Sequence, residues 1–337
     1  MKKKTSFFLH KILTLILQIS IIPTMVYKYI LKKLLFFAIT LFTIVTLTFF
    51  LMKSIPGDPF TQEQAIPEEI LKSLYEHYGL DKPLHVQYIK YIKGFLTLDL
   101  GPSFLYEGRT TNQIIREGFP ISATLGFIAF ILAVFWGVFW GSIAAFYKGR
   151  FLDHFAMILA VGGMSVPNFI TATVLQYVFS IQLGLFPIAR WGTFSHMVLP
   201  AIALASFPSA FIAKMTRESM VEVLQKEYIL TAMAKGLSKF QIWKNHVLKN
   251  SLLPVISYLG TLFASITTGS FIIEKIYGIP GLGGWMVSSI TNRDYTIITG
   301  LTIFYSFILL ISITMTDIIY FLLDPRIKDR FQNHELT

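Results

Sequence analysis

Side chains that do chemistry are sparse in this sequence, and none of them gathers into a reactive set. Cysteine is absent, which excludes disulfides, thiolate metal sites and cysteine nucleophiles. His154, His196 and His246 stand apart without the spacing of metal ligands, and no His, Asp and Ser fall in register for hydrolysis inside a membrane. The glycine-rich "GIPGLGG" (Gly278 to Gly284) shares only its glycines with a phosphate-binding loop, because the Lys-Ser/Thr ending is missing. The pattern G-x-x-x-x-G-K-[ST] occurs nowhere in the chain. The residues therefore point to no enzyme, no metal and no bound cofactor. Energy for any transport has to come from another subunit or from an ion gradient.

Ionisable residues inside apolar stretches are the next candidates, since a charge in a bilayer is costly and commonly functional. Asp317 lies toward the inner end of the last apolar stretch, where solvation or a basic partner is the expected fate. Glu274 and Lys275 sit at the opposite edge and are expected at the water interface rather than on a substrate. A transporter driven by an ion gradient needs intramembrane carboxylates or broken-helix ion sites. The one stretch that reads as broken, around "GGMSVPNF" (Gly162 to Phe169), carries no acid. Gly137 and Gly141 form a G-x-x-x-G pair that either lets two helices approach closely or arises by chance.

One segment is neither apolar nor inert: "EYILTAMAKGLSKFQIWKNH", Glu227 to His246. Gly236 is placed to close a helix in the left-handed conformation, and Ser238 with Gln241 makes a capping box for the next. Two short arms are expected, Glu222–Lys235 and Lys239–Lys249. Ile229, Ala232 and Met233 form one apolar face, Phe240, Trp243 and Val247 another, and Lys235, Lys239, Lys244 and Lys249 lie on the polar sides. Such a hairpin suits either a lipid surface or a docking partner, with the small Ala232, Ala234 and Gly236 permitting close approach. The residues alone leave both open.

These features sit on a chain built for a membrane. Of its 337 residues 54% are hydrophobic and 14% charged, against about a quarter charged in soluble proteins, and mean hydropathy is +0.60. Six stretches are long enough to span: Leu34–Met52, Ile121–Phe146, Phe155–Leu183, Met197–Ala213, Leu252–Ile273 and Thr296–Leu323. Pro167 is expected to kink or break the third. With the N-terminus inside, the inner pieces hold 19 of the 29 Lys and Arg, so the net charge of +10 reflects membrane orientation rather than nucleic acid. Both termini are expected in the cytoplasm. The outer loop over 53–120 should carry two helices, Pro67–Leu80 and His85–Leu96, as a small cap. The run Ile12–Tyr27, interrupted by Gln18 and Pro23, reads as an interfacial helix or a dispensable leader, with a seventh span as the alternative. The division expected is a leader over 1–28, a transmembrane domain over 29–325 with its cytoplasmic segment at 214–251, and a tail over 326–337.

The order of several short motifs adds a resemblance. "YILTAMAKGLS", with Leu230, Thr231, Ala232 and Gly236 at the positions of the Glu-Ala-Ala…Gly pattern, is similar to the cytoplasmic coupling segment of bacterial ABC importer permeases. The missing Glu and first Ala, and the late Leu253-Pro254, match the dipeptide/oligopeptide subfamily. "PGDP" (Pro56 to Pro59), "YGLDKPLHVQYIKY", "LDLGPSF", "HMVLPAIALA", "MTRESMVEVLQKEY", "IYGIPGLGGWMVSSITNRDY" and "LLDPRIKDR" agree in order and spacing, from about Tyr27 to Arg330. The chain thus resembles the first membrane subunit of such systems. What this implies is an all-α, polytopic protein of a bacterial cytoplasmic membrane, with six transmembrane helices, cytoplasmic coupling helices and an extracytoplasmic helical loop. The resemblance implies an ATPase-coupling segment at Glu227, Tyr228, Thr231, Ala232, Ala234, Lys235, Gly236, Leu237 and Ser238. It implies a second homologous permease, two ATPase subunits that use the ATP, and an extracytoplasmic peptide-binding protein. Membrane lipid surrounds the whole. Short peptides are the expected cargo, with nickel or another small solute as the alternative within the same family.

Overall fold

Long apolar runs leave the backbone one way to satisfy itself in a bilayer, and every regular element among the described residues is a helix. The structure is a computed structural model and describes residues 30–55, 60 and 68–323. The leader over 1–28, "PGDP" and the tail over 326–337 lie outside these residues. In chain order the helices are α1 (Ile30–Ser54), α2 (Glu68–Tyr78), α3 (Leu84–Leu96), α4 (Thr111–Phe146), α5 (Phe151–Ser165) and α6 (Asn168–Leu175). Next come α7 (Phe194–Leu224), α8 (Glu227–Ala234), α9 (Lys239–Ile242), α10 (Leu248–Ser251) and α11 (Leu253–Thr267). The last are α12 (Phe271–Ile276), α13 (Leu282–Thr291) and α14 (Tyr295–Leu323).

Five spans are long and apolar enough to cross a membrane: α1, α4, α7, the pair α11–α12, and α14. A sixth comes from α5 and α6, bent by 103° where Val166 and Pro167 interrupt the helix. The break expected at Pro167 is there, and a wide π-helical turn, Gln176–Gln182, prolongs α6.

Three spans begin or end elsewhere than the apolar runs suggest. α4 starts at Thr111, ahead of Ile121, because Thr110 and Gln113 cap it reciprocally and Pro120 is carried inside the helix. α7 runs past Ala213 to Leu224, since Met220 and Val223 of its polar extension are buried against Ala145. The fifth span is interrupted between Thr267 and Phe271, where Gly269 takes φ +103°. Helix α13 lies inside the glycine-rich outer motif, where no helix was expected.

Helices α4 and α7 form the centre. Leu125, Ala129 and Ala133 of α4 share one core with Ala201, Ala205 and Ile212 of α7, and with Leu262 and Ile266 of α11. In lipid, close packing rather than water exclusion holds helices together. A Cβ on Gly137 would fall 2.6 Å from the Ile212 side chain, and one on Gly141 would fall 2.5 Å from the Ala213 carbonyl. The G-x-x-x-G pair is therefore a packing site. At the end of the spans nearer the hairpin, Lys33 of α1 pairs with Asp317 of α14 at 2.5 Å, with both side chains about a third exposed. Asp317 thus meets its expected basic partner.

The cap between α1 and α4 holds α2 and α3 within a few residues of the expected bounds. Tyr78 stacks on Phe60 with ring centroids 5.6 Å apart. The Ser103 hydroxyl donates to the buried Asp294 carboxylate, which also accepts from the Ile297 amide at the start of α14. Two motifs, "LDLGPSF" and "ITNRDY", are thereby fastened to each other.

Candidate functional site

The hairpin is built by its end signals more than by its apolar periodicity. Gly236 has φ +79° and closes α8. Its amide donates to the Met233 carbonyl (2.9 Å) and that of Leu237 to the Ala232 carbonyl (3.4 Å), the two bonds of a Schellman motif. Leu237 and Ala232 share the hydrophobic cluster beneath, which supplies the apolar contact such a motif favours. Ser238 and Gln241 then cap α9 in both directions: the Ser238 amide donates to Gln241 Oε1 (2.9 Å) and the Gln241 amide to Ser238 Oγ (3.3 Å). The second arm passes from α9 through a π-helical turn, Trp243–Val247, into α10. Asn250 Nδ2 donates to the Tyr228 hydroxyl (3.1 Å) and joins the arms.

The first arm is shorter than expected. Glu222 belongs to α7, which stops at Leu224, and Lys226 turns extended (ψ 144°) before α8 starts at Glu227. Neither Gly nor Pro marks that break, so no local signal announces it. The two apolar faces divide between inside and outside. Ile229, Ala232, Ile242 and Val247 are buried with Met220, Val223 and Ala145, and Trp243 packs on them. Met233 and Phe240 are 49% and 66% exposed, and Leu230 beside them is 59% exposed.

Of the nine residues expected to couple, only Ala232 is buried and Leu237 half-buried. Glu227, Tyr228, Thr231, Ala234, Lys235, Gly236 and Ser238 are all exposed. Lys235, Lys244 and Lys249 face solvent as expected. A Cβ on Gly236 would meet nothing within 4 Å. The hairpin therefore presents a polar and apolar outer face, with its glycine turn open to the surroundings, on a core welded to α4 and α7.

Two supports were missed in the sequence. One is an ion pair beside the hairpin: Arg217 of α7 donates through Nε and Nη2 to the two oxygens of Asp153 at 2.5 and 2.8 Å. Asp153 is buried in the first turn of α5 and also accepts from the Gly149 amide (2.8 Å), in the turn leaving α4. No pairing rule connects residues so distant in the chain.

The other is Glu274, which is not interfacial. It is 1% exposed, accepts from the Ser122 hydroxyl (2.7 Å) and the Gly283 amide (2.9 Å), and Ser122 Oγ in turn accepts from the Leu282 amide (2.9 Å). A Cβ on Gly283 would lie 2.6 Å from the Phe271 backbone, and one on Gly281 would strike Ser122 and Glu274. The glycines of "GIPGLGG" thus let backbone close around a carboxylate of the chain itself. A spare signal existed: glycines crowding one acid suggest a cradle for that acid.

An all-helical array of spans with a capped hairpin at one end and a glycine-cradled helix at the other is the build of a transport permease, and the family models agree. Binding-protein-dependent transport system inner membrane component matches residues 137–329, and the corresponding N-terminal family of membrane components matches 25–126. The chain belongs to this family of multi-pass inner-membrane permease subunits, which are not themselves enzymes. It is 52% identical over 301 residues to the dipeptide transport system permease protein DppB of Bacillus subtilis (strain 168), covering 89% of this chain and 98% of that one. It is 42% identical over 303 residues to the oligopeptide transport system permease protein OppB of Salmonella typhimurium, covering 89% and 99%. Among solved structures, a chain of the inward-facing MetNI methionine ABC transporter superposes with TM-score 0.53 at 15% identity, over 63% of this chain and 97% of that one. This last likeness bears on the fold alone.

Proposed function

We propose that this chain is the first of two homologous membrane subunits in an ATP-driven importer of di- and oligopeptides, and that Glu227–Ser238 seats on an ATPase subunit. The cargo reading rests on relatives named as dipeptide and oligopeptide permeases. The division into leader, transmembrane domain and tail, and both termini in the cytoplasm, go with this reading. Two ATPases would use the ATP, and an extracytoplasmic peptide-binding protein would deliver cargo from the side of α2 and α3.

The observation that carries the seating is the face of the hairpin. Leu230, Met233 and Phe240 are exposed on a segment whose own core is complete, and the glycine turn beside them has room for a neighbour. A solvent-facing hairpin gains nothing from that arrangement.

Gly236→Val tests it. Nothing within the chain obstructs the new side chain, so the internal cost is the positive φ alone, about 1–2 kcal/mol for a residue with a Cβ. The spans stay untouched and the variant should insert. Expected is loss of ATPase association and of uptake in the reconstituted complex. Normal association and normal uptake would remove the seating. If removing Lys235, Lys244 and Lys249 together then loosened the hairpin from vesicles, the lipid-surface reading would take its place.

A further inference from the structure

A cavity of about 420 Å³ lies between the outer cap and the ends of α1 and α14. Its floor is apolar and aromatic, with Phe49 and Met52 from α1, Tyr78 from α2 and Tyr91 from α3. Its rim is cationic: Lys53, Lys90 and Lys93 line it, and none forms an ion pair among the described residues. The nearest thing to a partner is a long contact of 3.5 Å from Lys90 Nζ to the Tyr78 carbonyl. Asp99 is the single acid among the described residues of the lining, and it is engaged with the Gly101 amide.

Gln87 and Tyr91 stand behind these lysines, with Gln87 Oε1 and the Tyr91 hydroxyl closed off from the cavity and Thr299 beside that hydroxyl. What the cavity offers a ligand is three ammonium groups with no carboxylate partner among the described residues, set over an apolar and aromatic floor. That lining suits an anion attached to an apolar body.

The position selects the ligand. Met52 and Lys53 belong to the last turns of α1, the helix whose Leu47, Phe50 and Leu51 remain exposed. A ligand in the cavity can therefore continue onto an apolar flank that faces lipid. The volume suits a headgroup with its glycerol and falls well short of a whole phospholipid, so acyl chains must run outside.

We propose that this cavity binds the phosphate headgroup of an anionic phospholipid, with Lys53, Lys90 and Lys93 around the phosphate and the acyl chains along the outer end of α1. The assignment is independent of what the hairpin binds and of which cargo is carried.

The test uses the full chain, purified and delipidated in a non-ionic detergent. It is equilibrated with phosphatidylglycerol or with phosphatidylcholine, and retained lipid is counted by native mass spectrometry. Lysines near an anionic headgroup each contribute roughly five-fold in affinity. Wild type should hold phosphatidylglycerol in preference to phosphatidylcholine, and Lys53→Gln/Lys90→Gln/Lys93→Gln should abolish that preference. Lys72→Gln, exposed on α2 away from the cavity, should leave it intact. Should the triple variant not fold, Lys90→Gln and Lys93→Gln separately should each lower retention several-fold. Equal retention by wild type and the cavity variants would overturn the proposal. So would displacement of the lipid by inorganic phosphate alone, which would make the cavity a small-anion site.

Discussion

Arg217 and Asp153 decide how a push on the hairpin reaches the spans. The pair ties α7, one turn before Met220 enters the hairpin core, to the first turn of α5, the first half of the bent span. Asp153→Asn keeps the size of the side chain and an acceptor for the Gly149 amide, yet sets an amide group against the guanidinium. Removing one member of a buried pair costs about 3–5 kcal/mol, because the other charge is stranded. Here Arg217 keeps 25% of its side chain in solvent and can partly rehydrate, so ~2 kcal/mol is the fitting figure. Arg217→Gln should cost about the same, leaving the carboxylate without its cation. Asn and Gln together form a neutral hydrogen-bonding pair, so the double variant should lose ~2 kcal/mol rather than ~4, a coupling of ~2 kcal/mol. Chemical unfolding in micelles, followed by tryptophan fluorescence, measures the cycle. In the assembled complex each single variant should also lower uptake per ATP hydrolysed. Additive effects within about 0.5 kcal/mol would refute the pair as an energetic link. Uptake and ATP turnover falling in parallel would refute it as a positioning device, since that is the signature of less assembled protein.

At the end away from the hairpin, Glu274→Gln places an amide donor against the Gly283 amide or breaks the bond from Ser122, and should destabilise the purified chain by about 1–3 kcal/mol in thermal unfolding; an unchanged midpoint would mean the cradle does not hold. Orientation is open to cysteine labelling, which is clean because the chain has no native Cys. A thiol at Lys244→Cys should react with an impermeant reagent only after the cells are opened and one at Asp81→Cys in intact cells, and the reverse pattern would invert the topology.

Much of this was legible where a local rule carries the information. The closing turn at Gly236, the Ser238–Gln241 box and the break at Pro167 are each set by residue type within four positions, and each is where the rule puts it. Apolar runs located the spans because length against bilayer thickness is a one-dimensional test. Their ends drifted wherever a polar stretch stays helical on tertiary contacts, as in α7 beyond Ala213, or wherever a cap overrides hydropathy, as at Thr110. Glu274 was misplaced for a related reason. A charge beside Lys275 at a span end reads as interfacial, and only the fold brings Ser122, over 150 residues away, to its carboxyl group. Met233 and Phe240 show where periodicity stops: it finds the apolar faces of the hairpin, and only the fold decides which of their residues are buried and which stay outward.

One helix joins the two ends of the molecule. α4 contributes Ala145 to the hairpin core and Ser122 to the Glu274 cradle, and the turns between them rise roughly 35 Å. Along this length Gly137 and Gly141 press it onto α7, the same helix that leads into the hairpin, so α4 cannot slide without carrying α7. Contact of this sort is a route only if the two ends are energetically coupled, since adjacency alone transmits nothing. The distance makes the question sharp, because sites separated by more than about 10 Å normally act additively. Glu274→Gln and Gly236→Ala, a milder change at the turn than Val, should each reduce uptake in the reconstituted complex without abolishing it. If α4 passes movement of the hairpin to the outer cradle, the double variant should lose no more than the worse of the two. A product of the two separate losses would reduce α4 to a scaffold with independent sites at its ends.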